Sequence, residues 1–223
     1  MSLTLRHTTL SLPAGPVWLA ARLAHAPDVR ALVILARSTL DDDQSASETA
    51  ICHALNQAGY ATLGLDLVTP HEDERDPDLR YNTPLLATRI EAALAWLDHQ
   101  PPLHDLARGL VTGGTASGAA IRAASRSTDR LHALFCIGGR IDLAGAGPLR
   151  ALALPLCVAV GQHAPGRAMM HQAYSLIRTE AAWQEIDDTG LSAPATLARI
   201  IPVLVRWFDH HLANAAPPTE KAG

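Results

Sequence analysis

Apolar residues along this chain follow two rhythms. Short unbroken runs alternate with longer stretches in which apolar positions recur every three or four residues. Ala31 to Ala36 (ALVILA) is a continuous apolar run, the pattern of a parallel strand buried on both faces. Ser45 to Ala58 carries Ile51, Leu55 and Ala58 on one helical stripe, and Gly59 ends it. Tyr60 to Val68 reads as the next strand. Thr69 to Asn82 is polar and holds Pro70 and Pro77, so it reads as a surface loop. Pro84 opens a helix to His99, since proline suits a first turn. Further strands are expected at Gly109 to Thr112, Leu131 to Ile137, Pro155 to Gly161 and Trp183 to Ile186. Helices are expected at Ser117 to Arg126, Arg167 to Arg178 and Ala193 to Leu212.

This alternation predicts an α/β fold: a doubly wound, mostly parallel sheet of about eight strands with helices on both faces. Leu3 to Leu10 and Val17 to Leu23, divided by Pro13-Ala14-Gly15-Pro16, read as an antiparallel hairpin added at one edge. One domain over residues 1–212 and a flexible tail over 213–223 are expected.

Composition narrows the classes. The chain has 223 residues, enough for a sizeable core, and a net charge of −4 gives no electrostatic footprint for nucleic acid. No apolar run approaches a membrane span, and Met1 to Thr9 lacks the pattern of a signal peptide. Cys52, Cys136 and Cys157 are isolated and sit in apolar or helical stretches, so they read as reduced, packed thiols of a cytoplasmic protein. No cofactor motif is present.

The run Leu110-Val111-Thr112-Gly113-Gly114-Thr115-Ala116-Ser117-Gly118 is an apolar strand, a glycine-rich turn and an alanine-rich helix start. That is the context of a nucleophile elbow, G-x-S-x-G. With Gly114 and Gly118 as the two glycines, Ala116 holds the nucleophile position. With Gly113 as the first, Thr115 holds it and Ser117 replaces the second glycine. Either residue is expected to show the unusual backbone angles of a strained turn.

Taken in order, several segments resemble the α/β-hydrolase superfamily, and most nearly its small dienelactone-hydrolase-like members. They are LNQAGYATLGLDLVTP (55–70), YNTPLLATRIEAALAWL (81–97), the elbow, IGGRIDLAG (137–145) and ARIIPVLVRWFDHHL (198–212). The resemblance implies one α/β-hydrolase domain without a separate cap. It also implies a nucleophile, an acid after a late strand and a histidine after the last strand. The oxyanion hole would come from the N–H after the nucleophile and one from an early loop. Here the early loop reads Arg37-Ser38-Thr39-Leu40. The acid station falls at Ala164, and the histidine loop, Asp187 to Ser192, has no histidine, with Gly190 at the station. Ala116, Ala164 and Gly190 therefore read as degenerate triad positions.

Two readings follow. One is a non-catalytic module that binds a ligand or a protein. The other is a dienelactone-hydrolase-like esterase using Thr115 or Ser117. Arg37, Ser38, Gly114 and Thr115 are the expected ligand contacts, with Arg37 at the pocket mouth favouring a small anion. A protein partner or a second copy of the chain are the other partner classes. His163 and His171, near the acid loop, would converge with Asp187 and Asp188, but no metal-ligand spacing appears, and no metal is expected. Asp41-Asp42-Asp43 reads as a helix start capped by Ser45 or Ser47, and Arg140 as a partner of Asp142.

Overall fold

A computed structural model describes residues 4–212; the expected tail, 213–223, lies outside the described residues. The chain opens with strands β1 (Arg6–Ala14) and β2 (Val17–His25). Their register pairs Ala14 with Val17, leaving a two-residue loop in which Gly15 takes φ 64°. A hairpin loop that short needs a positive φ, which glycine adopts freely. The expected hairpin is therefore present, but longer than its apolar runs suggested. Pro13 is accommodated because β1 is an edge strand.

Strand β3 (Leu32–Arg37) leads to helix α1 (Asp42–Gln57). Asp41 caps that helix, accepting from Gln44 N at 2.8 Å, so the helix starts ahead of Ser45 and neither Ser45 nor Ser47 is the cap. Strand β4 (Ala61–Asp66) follows. The segment read as a loop, 69–82, instead holds helix α2 (Pro70–Arg75) and a 3₁₀ turn, Pro77–Tyr81. Thr69 and Glu72 form a capping box around Pro70. Buried Arg89 fixes this short helix, donating to Leu67 O at 2.6 Å and pairing with Glu72. No apolar periodicity marks the segment, because its anchor is an ion pair from another helix.

Helix α3 (Thr83–Leu97) begins at cap Asn82, and strand β5 (Arg108–Gly113) leads into α4 (Ala116–Ala124). Strand β6 (Ala133–Ile137) is followed by a 3₁₀ turn, Ile141–Ala144, and α5 (Ala146–Ala151). Arg140 pairs with Asp142 through two hydrogen bonds of 2.9 and 2.8 Å, as expected. Strand β7 (Leu156–Gly161), helix α6 (Arg167–Tyr174), strand β8 (Ala181–Ile186) and helix α7 (Ala193–Leu212) complete the order.

The eight strands form one sheet in the order β1-β2-β4-β3-β5-β6-β7-β8. β1 and β2 are antiparallel and the remaining pairs from β3 onward are parallel. Strand residues alternate between two cores. Ile34, Leu63, Leu110 and Val158 pack under α3 and α4, while Val33, Leu35, Val111 and Phe135 pack under α1 and α7. Burial on both faces explains why the inner strands read as unbroken apolar runs. Among the described residues there is no separate cap domain. No helix among the described residues is long and apolar enough to cross a membrane.

Candidate functional site

The sharp turn between β5 and α4 falls at Gly114, whose φ is 54°. Thr115 is an ordinary right-handed helix cap (φ −72°, ψ −22°), and Ala116 is the first helical residue, fully buried. The expectation of strained angles at Thr115 or Ala116 is therefore overturned: no residue other than glycine has positive φ among the described residues. A strand-to-helix turn needs one left-handed residue to reverse direction, and here glycine supplies it without penalty. The signal in the sequence was the Gly113-Gly114 pair directly after the apolar strand. The G-x-S-x-G spacing points instead to Ala116 or, in the other register, to Thr115.

The hydroxyls near this turn are tied to each other. Ser38 Oγ and Thr115 Oγ1 lie 2.7 Å apart, joining the loop after β3 to the start of α4. Ser117 is fully buried inside α4, and Thr112 Oγ1 donates to its Oγ at 3.2 Å. Among the described residues, no histidine hydrogen-bonds to either hydroxyl. Cys136, beneath the turn at 3.6 Å from Thr112 Oγ1, has its thiol pushed up to about 11 by burial, so it is protonated at neutral pH.

A cavity of about 530 Å³ opens at the carboxyl ends of β3, β5 and β6, beside the loops after β7 and β8, where open α/β sheets hold their ligands. Leu35, Ile51, Val111, Ile137, Leu197 and Ile200 supply apolar wall. Gly113 and Gly114 lie in its lining, as do Ala164 and Arg37; Ser38 and Thr115 are not part of the lining. Gly190 is exposed, with φ 66°, and is not part of the wall; its neighbour Asp188 is.

Arg37 does not present a free cation at the mouth. Its Nε donates to Asp66 Oδ1 at 2.5 Å, one of its terminal nitrogens donates to Ser45 Oγ at 2.5 Å, and Glu48 Oε2 lies 3.3 Å from Nε. Arg22 closes the same network from β2, reaching Glu48 at 2.9 Å and Asp66 at 3.2 Å. Two guanidinium groups thus face two carboxylates, and the local charge cancels. Burial alone would raise the Asp66 carboxyl, but the hydrogen bonds from Arg37 and Arg22 outweigh it and hold the group below its ordinary value. Asp66 and Glu48 lie on different elements with no shared motif, so nothing in the sequence marked them as partners of Arg37.

The two late loops do converge. His163, on the loop after β7, has its Nδ1 3.0 Å from Asp188 Oδ1 on the loop after β8. The hydrogen bond from His163 is the main influence holding the Asp188 carboxyl below its ordinary value. The histidine and the carboxylate thus occupy the reverse of the stations that the family resemblance implies. His171 is placed elsewhere, edge-on to Trp183 at a 5.0 Å centroid distance.

Comparison with known proteins agrees with this architecture. No protein-family model matches the chain. The structure is similar to dienelactone hydrolase from Anabaena variabilis, with a TM-score of 0.85 and 29% identity over 93% of this chain and 99% of that one. It is also similar in fold to the esterase domain of a Rhodothermus marinus protein (TM-score 0.71, 17% identity, 93% of this chain and 100% of that one). A third similar fold is a dienelactone hydrolase-like promiscuous phosphotriesterase from metagenomic libraries (TM-score 0.69, 14% identity, 93% of this chain and 98% of that one). Among curated sequences, two Mycobacterium tuberculosis proteins provisionally named as phosphoribosyl transferases are 29% identical over 215 residues, 96% of this chain. The chain spans about half the length of those relatives, 48%.

Proposed function

We propose, for a chain whose fold is that of a dienelactone-hydrolase-like α/β-hydrolase, that it binds a small, uncharged, largely apolar ligand and does not hydrolyse esters through a covalent intermediate. One observation carries this reading: the residue at the sharp turn, Gly114, has no side chain to act as a nucleophile. The nearby hydroxyls do not replace it. Thr115 is tied to Ser38 and Ser117 is sealed inside its helix, and a hydroxyl without a base remains a weak nucleophile.

The cavity favours a neutral ligand over the anion expected from Arg37 in the sequence. Among the described residues Arg37 is the only Lys or Arg in the wall and is already neutralised by Asp66 and Glu48, whereas Asp188 adds negative charge. The same balance argues against carrying a phosphoribosyl transferase activity over from the mycobacterial relatives, since phosphoribosyl donors are polyanions. A second reading has one observation behind it: Asp188, in the cavity lining, orients the His163 imidazole as a general base requires. In that reading the chain is a rewired hydrolase in which His163 activates water or Thr115.

Paired probes test the proposal. Methyl benzoate should raise the thermal midpoint and benzoate should not, and Leu191→Trp, which fills the cavity mouth, should remove the effect. p-Nitrophenyl butyrate hydrolysis should stay at background, with no fluorophosphonate adduct. Turnover lost in His163→Ala or Thr115→Ala would overturn the proposal and establish the rewired hydrolase.

A further inference from the structure

The end of α7 remote from the cavity carries a separate group of metal-ligating side chains. Thr196 and Ile200 on α7 line the cavity, whereas His210 and His211 lie in its last turn. A helix rises about 1.5 Å per residue, so the two regions are roughly 20 Å apart. Glu180, directly before β8, meets the two histidines there. One carboxylate oxygen and two imidazole nitrogens lie within 4.8 Å of one another.

His211 is the fixed member. Its side chain is 8% exposed, and its Nε2 stands 3.6 Å from Glu180 Oε1. That nitrogen has no hydrogen-bond partner among the described residues. A buried polar atom left unpaired is unfavourable and calls for an explanation. Trp207 packs on the His211 ring at a 4.0 Å centroid distance and His210 meets it edge-on at 4.7 Å, so the ring is held in place. A small cavity of about 240 Å³ opens over this corner, lined by all three residues and by Trp207 and Arg206. The adjacent acid, Asp209, is committed elsewhere, to Tyr60 and Arg30 at 2.8 Å each.

We propose that Glu180, His210 and His211 bind a divalent transition-metal ion of the zinc class, clipping the start of strand β8 to the end of α7. Two imidazoles and one carboxylate suit a borderline cation, and hard calcium or magnesium would demand more oxygens. The carboxyl end of α7 carries partial negative charge, which favours a cation there and offsets Arg206. Zinc–nitrogen bonds of about 2.0–2.1 Å require the donors to close to roughly 3.4 Å. Glu180 is 61% exposed and His210 is exposed, so both can swing toward the buried imidazole.

Zinc chloride titrated into the whole chain by calorimetry tests this, with Co²⁺ d–d absorption and Cu²⁺ quenching of Trp207 as spectroscopic readouts. One ion should bind per chain. At a hundredfold excess over Kd the thermal midpoint should rise by about 5–10 °C. Glu180→Gln and His210→Ala alter exposed side chains and should leave the fold intact by circular dichroism. Each should weaken zinc binding at least about tenfold. Equal affinity in the wild type and both variants, or no binding up to about 1 mM zinc, would overturn the proposal.

Discussion

Giving Gly114 a side chain is the most direct perturbation of this site. At φ 54° the residue occupies the left-handed region, and no heavy atom lies within 4 Å of a Cβ built there. The whole cost of Gly114→Ser is therefore backbone strain. An L-residue in that region costs about 1–2 kcal/mol, and the stiffer unfolded chain returns about 0.4–1 kcal/mol. The net loss should be about 0–1.6 kcal/mol, a fall of at most roughly 6 °C in Tm for a chain of this size. Gly114→Ala should cost the same within about 0.5 kcal/mol, because the strain does not depend on the hydroxyl. Urea unfolding followed by circular dichroism reads this, with an unchanged slope showing that two-state behaviour holds. The new hydroxyl should not become reactive to fluorophosphonate, since no base is hydrogen-bonded into the turn. A loss above about 3 kcal/mol in both variants would refute the open, left-handed geometry. Strong labelling of Gly114→Ser alone would show that a working base was already in reach.

Two other perturbations follow from the ion pairs. The Asp66 carboxyl is depressed in the folded state, so its contribution is present above the unfolded value of about 3.9 and is lost as pH falls through the folded value; the urea midpoint should drop on acidification below about pH 4, and Asp66→Asn should flatten that limb, with an unchanged limb counting against the network. Arg89 is 3% exposed and pairs with Glu72, so Arg89→Met should cost about 3–5 kcal/mol, whereas Thr69→Ala should cost only about 1 kcal/mol through the lost cap; similar losses by urea unfolding would show that α2 is held by its cap rather than by Arg89.

The sequence by itself determined the sheet, because burial on both faces imposes unbroken apolar runs such as Ala31 to Ala36, and helices between them impose parallel order. It also determined the place of the elbow, since a strand, a glycine pair and a small-residue helix must follow one another locally. Only the tertiary structure decided which residue turns the corner: the motif spacing pointed to Thr115 or Ala116, and the strand and helix on either side fix the left-handed φ at Gly114 instead. The same holds for charge. Arg37 reads as a free cation in the sequence, but Glu48 and Asp66, brought in by α1 and β4, neutralise it. Likewise His163 and Asp188 become a pair, and Glu180 a neighbour of His211, only when separate strands and loops pack together. Periodicity is a local consequence of burial, so one dimension records it. Charge pairing between distant segments depends on distance in three dimensions and leaves no mark in spacing, whereas the local pair Arg140–Asp142 was legible.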